Sequence, residues 1–199
     1  TMLYELQEVA MDASSNESPS SEEDLFTPMS DAAKTRGFWL SINLLTAFLA
    51  SWVIGLFEAT LQQVVALAIL MPVVASMGGI AGSQTLAVAL RGLALNHFTD
   101  ANFRLVLFKE IKIAVITGLA LGTLIATVVT YWFDSFKLGL IILIAVGLNS
   151  LAAAASGTLI PFALNKINID PAVSGAVILT TITDVVGFFV FLSLASLIF

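Results

Sequence analysis

Asp184 lies about halfway along an apolar run, "LTTITDVVGFFVFL", from Leu179 to Leu192. A carboxylate at such a depth in a membrane costs about 2.5–3.5 kcal/mol on insertion scales, so it marks a pathway or a binding site. Thr180 is four residues back, Thr181 three back and Gly187 three ahead, which places all three near the Asp184 face of a helix. The result is a narrow polar stripe ending in a carboxylate. One reading is a carboxyl satisfied by a neighbouring hydroxyl or base, but no lysine or arginine lies at matching depth. The other reading is a site for a cation from solution. A carboxylate with hydroxyl and carbonyl oxygens is a hard-oxygen set, suited to magnesium or calcium over zinc or copper. Magnesium dehydrates reluctantly and keeps several waters, so one or two carboxylates suffice. A single Asp184 per chain is a thin site. A two-fold dimer would bring two to one axis, where a divalent cation relieves their repulsion.

A second unusual stretch is "MGGIAGSQTLAVALRG", from Met77 to Gly92, with four glycines, a serine, a glutamine and an arginine inside an apolar run. Pro72 precedes it, and proline kinks transmembrane helices. A break at Gly78-Gly79 is expected, with freed carbonyls turned to protein or a watery cavity. The competing reading is a packing bend that admits a neighbouring helix.

The elements that must position these residues follow from composition. The 199 residues are 58% hydrophobic, with a mean hydropathy of +0.99, well above the 45–50% apolar share of ordinary soluble domains. Five apolar stretches have the roughly 20 residues that a spanning helix needs: about 37–57, 61–95, 103–132, 138–164 and 171–198. The second is too long for one straight span. Span three carries Gly118 and Gly122 four apart, and span four a run of small residues from Ser150 to Gly157, both read as close helix packing. Arg91, Arg104, Lys109, Lys112 and Lys166 fall on one side of the spans, with Lys34 and Arg36 before the first. The positive-inside rule makes that side cytoplasmic, so the N-terminus is inside and the C-terminus outside.

The formal charge of −6 is uneven. All eight acids of residues 1–31 lie ahead of the first base, Lys34, and the rest of the chain is slightly basic. Residues 13–24, "ASSNESPSSEED", read as a flexible linker. The chain opens on Thr1 rather than methionine, which suggests a piece of a longer protein. With no cysteine and one histidine, His97, there is no disulfide framework and no thiolate or multi-histidine metal site. Intramembrane aspartyl chemistry needs a second carboxylate at the depth of Asp184, and none is present, so an enzyme is not expected. A membrane scaffold would fit the small-residue helices but leaves Asp184 unexplained.

Taken together, "PVVASMGGIAGSQTLAVALRGLAL" and "DPAVSGAVILTTITDVVGFFVFLSLA" resemble the two signature segments of MgtE-type magnesium channels. "GLFEA" after span one, "FRLVLFKEIKIAVITGLALG" in span three and "SEEDLFTP" ahead of the membrane extend the likeness to about residues 20–199. The resemblance implies an all-α integral membrane protein of the inner (plasma) membrane. Five transmembrane helices per chain would surround a pore at the two-fold axis of a homodimer, with lipid and divalent cations as the other partners and no nucleic acid. Residues 31–199 would be the pore domain, and residues 1–30 an acidic remnant of a regulatory region. Asp184 would hold a largely hydrated magnesium ion, helped by the Thr180 carbonyl, with Gly78, Gly79, Ser83, Ala87, Thr181 and Gly187 lining the pore.

The family pattern Gly-Gly-Asn-x-Gly-Asn-Gln reads here Gly78-Gly79-Ile80-Ala81-Gly82-Ser83-Gln84. Two amides are lost and one hydroxyl is returned, a departure that bears on ion selectivity. Asp170 precedes Pro171 and suits a helix N-cap; the resemblance also places cytosolic magnesium near it. Glu5, Glu8, Asp12 and Glu110 match acids of the family's regulatory surfaces. Their plainer readings are a solvated acidic helix for the first three and, for Glu110, a pair with Lys109, Lys112 or Arg91. The implied function is magnesium transport, with magnesium as both transported ion and ligand. The alternatives are a sodium- or proton-coupled carrier, or broader divalent selectivity.

Overall fold

The structure is a computed structural model that describes residues 28–169 and 171–199, apart from the side chain of Val173. The acids Glu5, Glu8 and Asp12, the linker at 13–24 and the candidate ligand Asp170 lie outside the described residues. Among the described residues six helices follow in order: α1 Met29–Gly55, α2 Glu58–Gln63, α3 Val65–Ala94, α4 Phe103–Phe133, α5 Phe136–Lys166 and α6 Pro171–Ile198. No strand occurs among the described residues. Five of the helices are long and apolar enough to cross a membrane. At 27 to 31 residues and about 1.5 Å per residue they rise roughly 40–47 Å. That exceeds the ~30 Å hydrocarbon core and leaves room for tilt.

The described residues 28–36 fall in one unit and residues 37–199 form a second. In the first, Lys34 pairs with Asp31 at 3.3 Å one turn back. The second unit is built around α5, which packs against α3, α4 and α6 and buries residues along its length from Leu138 to Leu164. Leu67 and Val74 of α3, Ile141 and Val146 of α5, and Phe191 and Ala195 of α6 meet in its core, all without solvent exposure. Outward-facing Phe48, Ile116 and Trp132 are each more than half exposed, as lipid-facing side chains must be.

The helix ends show why the chain turns where it does. Asn96, Asp134 and Asn168 take left-handed conformations (φ 54°, 48° and 56°) just past α3, α4 and α5. Asn and Asp tolerate that region because a short polar side chain can bond locally. After Asp134, the Ser135 hydroxyl accepts from the Leu138 amide at 3.4 Å and caps α5, making a tight hairpin of α4 and α5. Within α4, the Thr117, Thr123 and Thr127 hydroxyls each donate to the carbonyl four residues back, at 2.7–2.9 Å. Exposed threonines thereby reach lipid with no unpaired donor.

One expectation is corrected. Residues 61–95 do not break at Gly78-Gly79: α3 is continuous through Pro72 and both glycines. The chain breaks instead at Val64, whose extended backbone (φ −129°, ψ 81°) separates the short α2 from α3. Both glycines lie within the continuous helix, with a neighbouring helix closing on Gly78 and open space beside Gly79. A Cβ at Gly78 would collide with the Asn149 amide, and one at Gly82 would stand 2.8 Å from Leu179 Cδ1.

Small residues elsewhere pack as the sequence implies. A Cβ on Gly118 would lie 3.2 Å from Ser150 Cβ, and one on Gly122 3.0 Å from Leu143 Cδ1. One on Gly157 would lie 2.8 Å from the Gly82 carbonyl oxygen. In lipid, where apolar burial gives helices little reason to associate, this close approach is a main source of packing energy.

Candidate cation site

Asp184 is half-buried on α6. It faces a pocket of about 270 Å³ lined by Thr180, Thr181 and Asp184 of α6 and by Asn43, Thr46 and Ala47 of α1. The helical spacing that groups Thr180, Thr181 and Asp184 in the sequence therefore groups them in space. Asp184 makes no hydrogen bond or ion pair among the described residues, and no base lines the pocket.

The hydroxyls around it are already oriented. Thr181 donates to the Val177 carbonyl at 2.7 Å, and Thr180 to Ala176 and Val177 at 3.1 Å each. On α1, Thr46 donates to the Asn43 carbonyl at 2.9 Å. With their protons committed to the backbone, these oxygens present lone pairs to the pocket. The wall thus combines one carboxylate with several neutral oxygen acceptors, a donor set suited to a hard cation or to its bound waters. No group of three His, Cys, Asp or Glu side chains that could hold a metal ion occurs among the described residues. The site therefore offers one carboxylate per chain. The Thr180 carbonyl also accepts from the fully buried Thr183 hydroxyl at 3.1 Å, a bond that the sequence reading missed.

The other candidate residues are distributed over three places. Gly78 and Gly187 turn inward, and a Cβ on either would collide with Asn149. That amide is fully buried in α5, and its Nδ2 donates to the Val74 carbonyl at 3.0 Å. Gly79, Ser83 and Ala87, four residues apart, share a more open side of α3. The Ser83 hydroxyl donates to the Gly79 carbonyl at 2.8 Å. Ile80 and Gln84 line a different pocket, of about 340 Å³, together with Glu110 of α4. Glu110 is buried, accepts from the Thr85 hydroxyl at 3.2 Å and has Lys109 Nζ at 3.7 Å, so the expected pair with Lys109 is present.

Sequence reading missed Asn43 and Thr46. The available signal was an amide inside an apolar span, at the same spacing logic that singled out Asp184.

Five apolar spans, three of them packed around a fourth, with a half-buried carboxylate and no base lining its pocket, define a polytopic helical membrane protein. Residues 71–194 match the sequence profile of MgtE, described as a divalent cation transporter, and the chain belongs to that family. It is similar to proteins named magnesium transporter MgtE from Bacillus subtilis (33% identity over 165 residues) and Enterococcus faecalis (31% over 166), each match covering 83% of this chain. A third, from Thermus thermophilus, is 32% identical over 160 residues, 80% of this chain. The chain spans little more than a third of the length of these relatives, 35–37%. The family is one of transporters rather than enzymes, in agreement with the reading of this chain's residues.

Proposed function

We infer that the chain forms the membrane pore of a magnesium transporter, with residues 31–199 as the pore domain and Asp184 holding a largely hydrated ion. The observation that carries this reading is the Asp184 carboxylate, half-buried in an oxygen-lined pocket with no basic partner. A charge held in that way needs a cation to balance it. A small pocket with one carboxylate suits an ion that keeps most of its waters, as magnesium does. The names of the related proteins point to the same ion.

A homodimer supports the reading physically. One carboxylate binds a dehydration-resistant ion weakly, and a two-fold axis supplies a second. The face of α3 that bears Gly79, Ser83 and Ala87 has room for such a neighbour: Ser83 and Ala87 are exposed, and nothing lies within 4 Å of a Cβ on Gly79. Asp170 would serve cytosolic magnesium at the pore mouth, and Glu5, Glu8 and Asp12 the regulatory side. The basic loop ends support a cytoplasmic N-terminus and an outer C-terminus.

Flux into proteoliposomes tests the reading. The chain is expected to carry Mg²⁺ down its gradient, with a reversal potential set by magnesium alone. A reversal potential that follows sodium or pH would establish a coupled carrier, and absence of Mg²⁺ flux would overturn the reading.

A further inference from the structure

The polar side chains of α1 within residues 37–55 are Ser41, Asn43, Thr46 and Ser51. Three of them satisfy themselves. Ser41 donates to the Gly37 carbonyl at 2.7 Å, Thr46 to Asn43 at 2.9 Å and Ser51 to Ala47 at 3.0 Å. Asn43 differs: its amide makes no hydrogen bond among the described residues. An amide in an apolar span with no partner is costly, because lipid offers neither donors nor acceptors. It is tolerable where it faces a wet cavity, and Asn43 lines the pocket that holds Asp184.

The chemistry of that pocket makes the amide distinctive. Asp184 accepts only, and the protons of Thr46, Thr180 and Thr181 are committed to backbone carbonyls. Asn43 is thus the side chain there with free donors, and its Oδ1 adds an acceptor. No amide of α3 lines the pocket. Gln84 belongs to the Glu110 pocket, and positions 80 and 83 are isoleucine and serine. At about 270 Å³ the pocket has room for several waters. Waters bound to a cation point their hydrogens outward, toward acceptors. A nearby amide can take one such hydrogen on Oδ1, while its NH₂ donates to a water that bridges to the carboxylate.

We propose that Asn43 is a specificity-determining residue of the Asp184 site, holding the water shell of the bound cation and reaching the carboxylate through that shell. This rests on the reading of Asp184 as a cation site. Recognition through waters favours an ion that keeps its shell, magnesium, over calcium, which exchanges its waters for protein oxygens more readily. Removing the amide leaves the charge of Asp184 but weakens its preference.

The test compares the full chain with Asn43→Leu, Asn43→Gln and Ser51→Ala in proteoliposomes, with Mg²⁺ and Ca²⁺ as probes. Leucine is well suited to an apolar helix, so Asn43→Leu should insert and fold, as a monodisperse elution profile would verify. The Mg²⁺ concentration for half-maximal flux is expected to rise about tenfold, the range of one charge-assisted hydrogen bond. The preference for Mg²⁺ over Ca²⁺ should fall as well. Asn43→Gln should recover part of both, and Ser51→Ala should match the wild type. If Asn43→Leu matches the wild type in half-saturation and in Mg²⁺ over Ca²⁺ preference, the role of Asn43 is refuted while the Asp184 reading stands. If the wild type itself carries no Mg²⁺, the reading beneath it falls too.

Discussion

Glu110 and Asp184 are two carboxylates on membrane-spanning helices in very different circumstances. Glu110 is the more enclosed, yet it is provided for: Thr85 donates to one oxygen at 3.2 Å and Lys109 stands 3.7 Å from the other. Asp184 is less buried and has no such partner among the described residues. The contrast separates a carboxylate used to join helices from one with no protein partner, as the proposed ion site requires. Thr85→Val keeps the shape and removes a donor to Glu110. Stranding part of a buried carboxylate should cost about 1–3 kcal/mol, read as a lower unfolding temperature in detergent. A double-mutant cycle with Glu110→Gln should show coupling of about 0.5 kcal/mol or more. A neutral Thr85→Val would show that the pair contributes nothing to α3–α4 packing.

At the scale of the helix, close approach is decided by glycines that meet backbone. Gly157 of α5 faces the Gly82 carbonyl, and an added Cβ would sit 2.8 Å from that oxygen and 2.9 Å from Thr85 Cβ. Neither neighbour can swing away, so Gly157→Ala should destabilise the bundle by about 1–3 kcal/mol. Gly147, on the same helix, has nothing within 4 Å of its would-be Cβ. Gly147→Ala should therefore be neutral or slightly stabilising in the same melts. Equal effects of the two substitutions would refute the packing account.

Much of this scale was readable in the sequence. Five spans, the packing role of Gly118, Gly122 and Gly157, and the Thr180–Thr181–Asp184 face all follow from length and helical spacing. The course of α3 did not. Gly78 faces Asn149 of α5, which bonds to Val74 from 75 residues away, while Gly79 faces open space, and neither neighbourhood is written in the local sequence. Asn43 was hidden for the same reason: a lone amide has meaning only once α6 lies beside α1.

Over the residues 37–199 taken together, contacts at the two ends record the threading of the chain. Lys166, just before the α5–α6 turn, pairs with Asp100 in the α3–α4 loop and lies 4.7 Å over the Phe162 ring. Lys137 at the start of α5 lies 5.5 Å over Phe199 beyond the end of α6. Each contact joins elements that alternating spans must bring to one side. With no cysteine in the chain, single cysteines report sidedness without background. Thr99→Cys should react with a membrane-impermeant maleimide only from the cytoplasmic face, and Gln63→Cys only from outside. The reverse pattern would invert the orientation given by the basic loop ends.

The central claim is that Asp184 holds the ion that crosses. It is tested most directly by Mg²⁺ uptake in cells lacking other magnesium importers, with wild type, Asp184→Asn and Asp184→Ala present in equal membrane amounts. The account predicts that both variants fall to background while the wild type restores uptake, because neither replacement can balance a divalent charge at that depth. Full uptake by Asp184→Ala would contradict it.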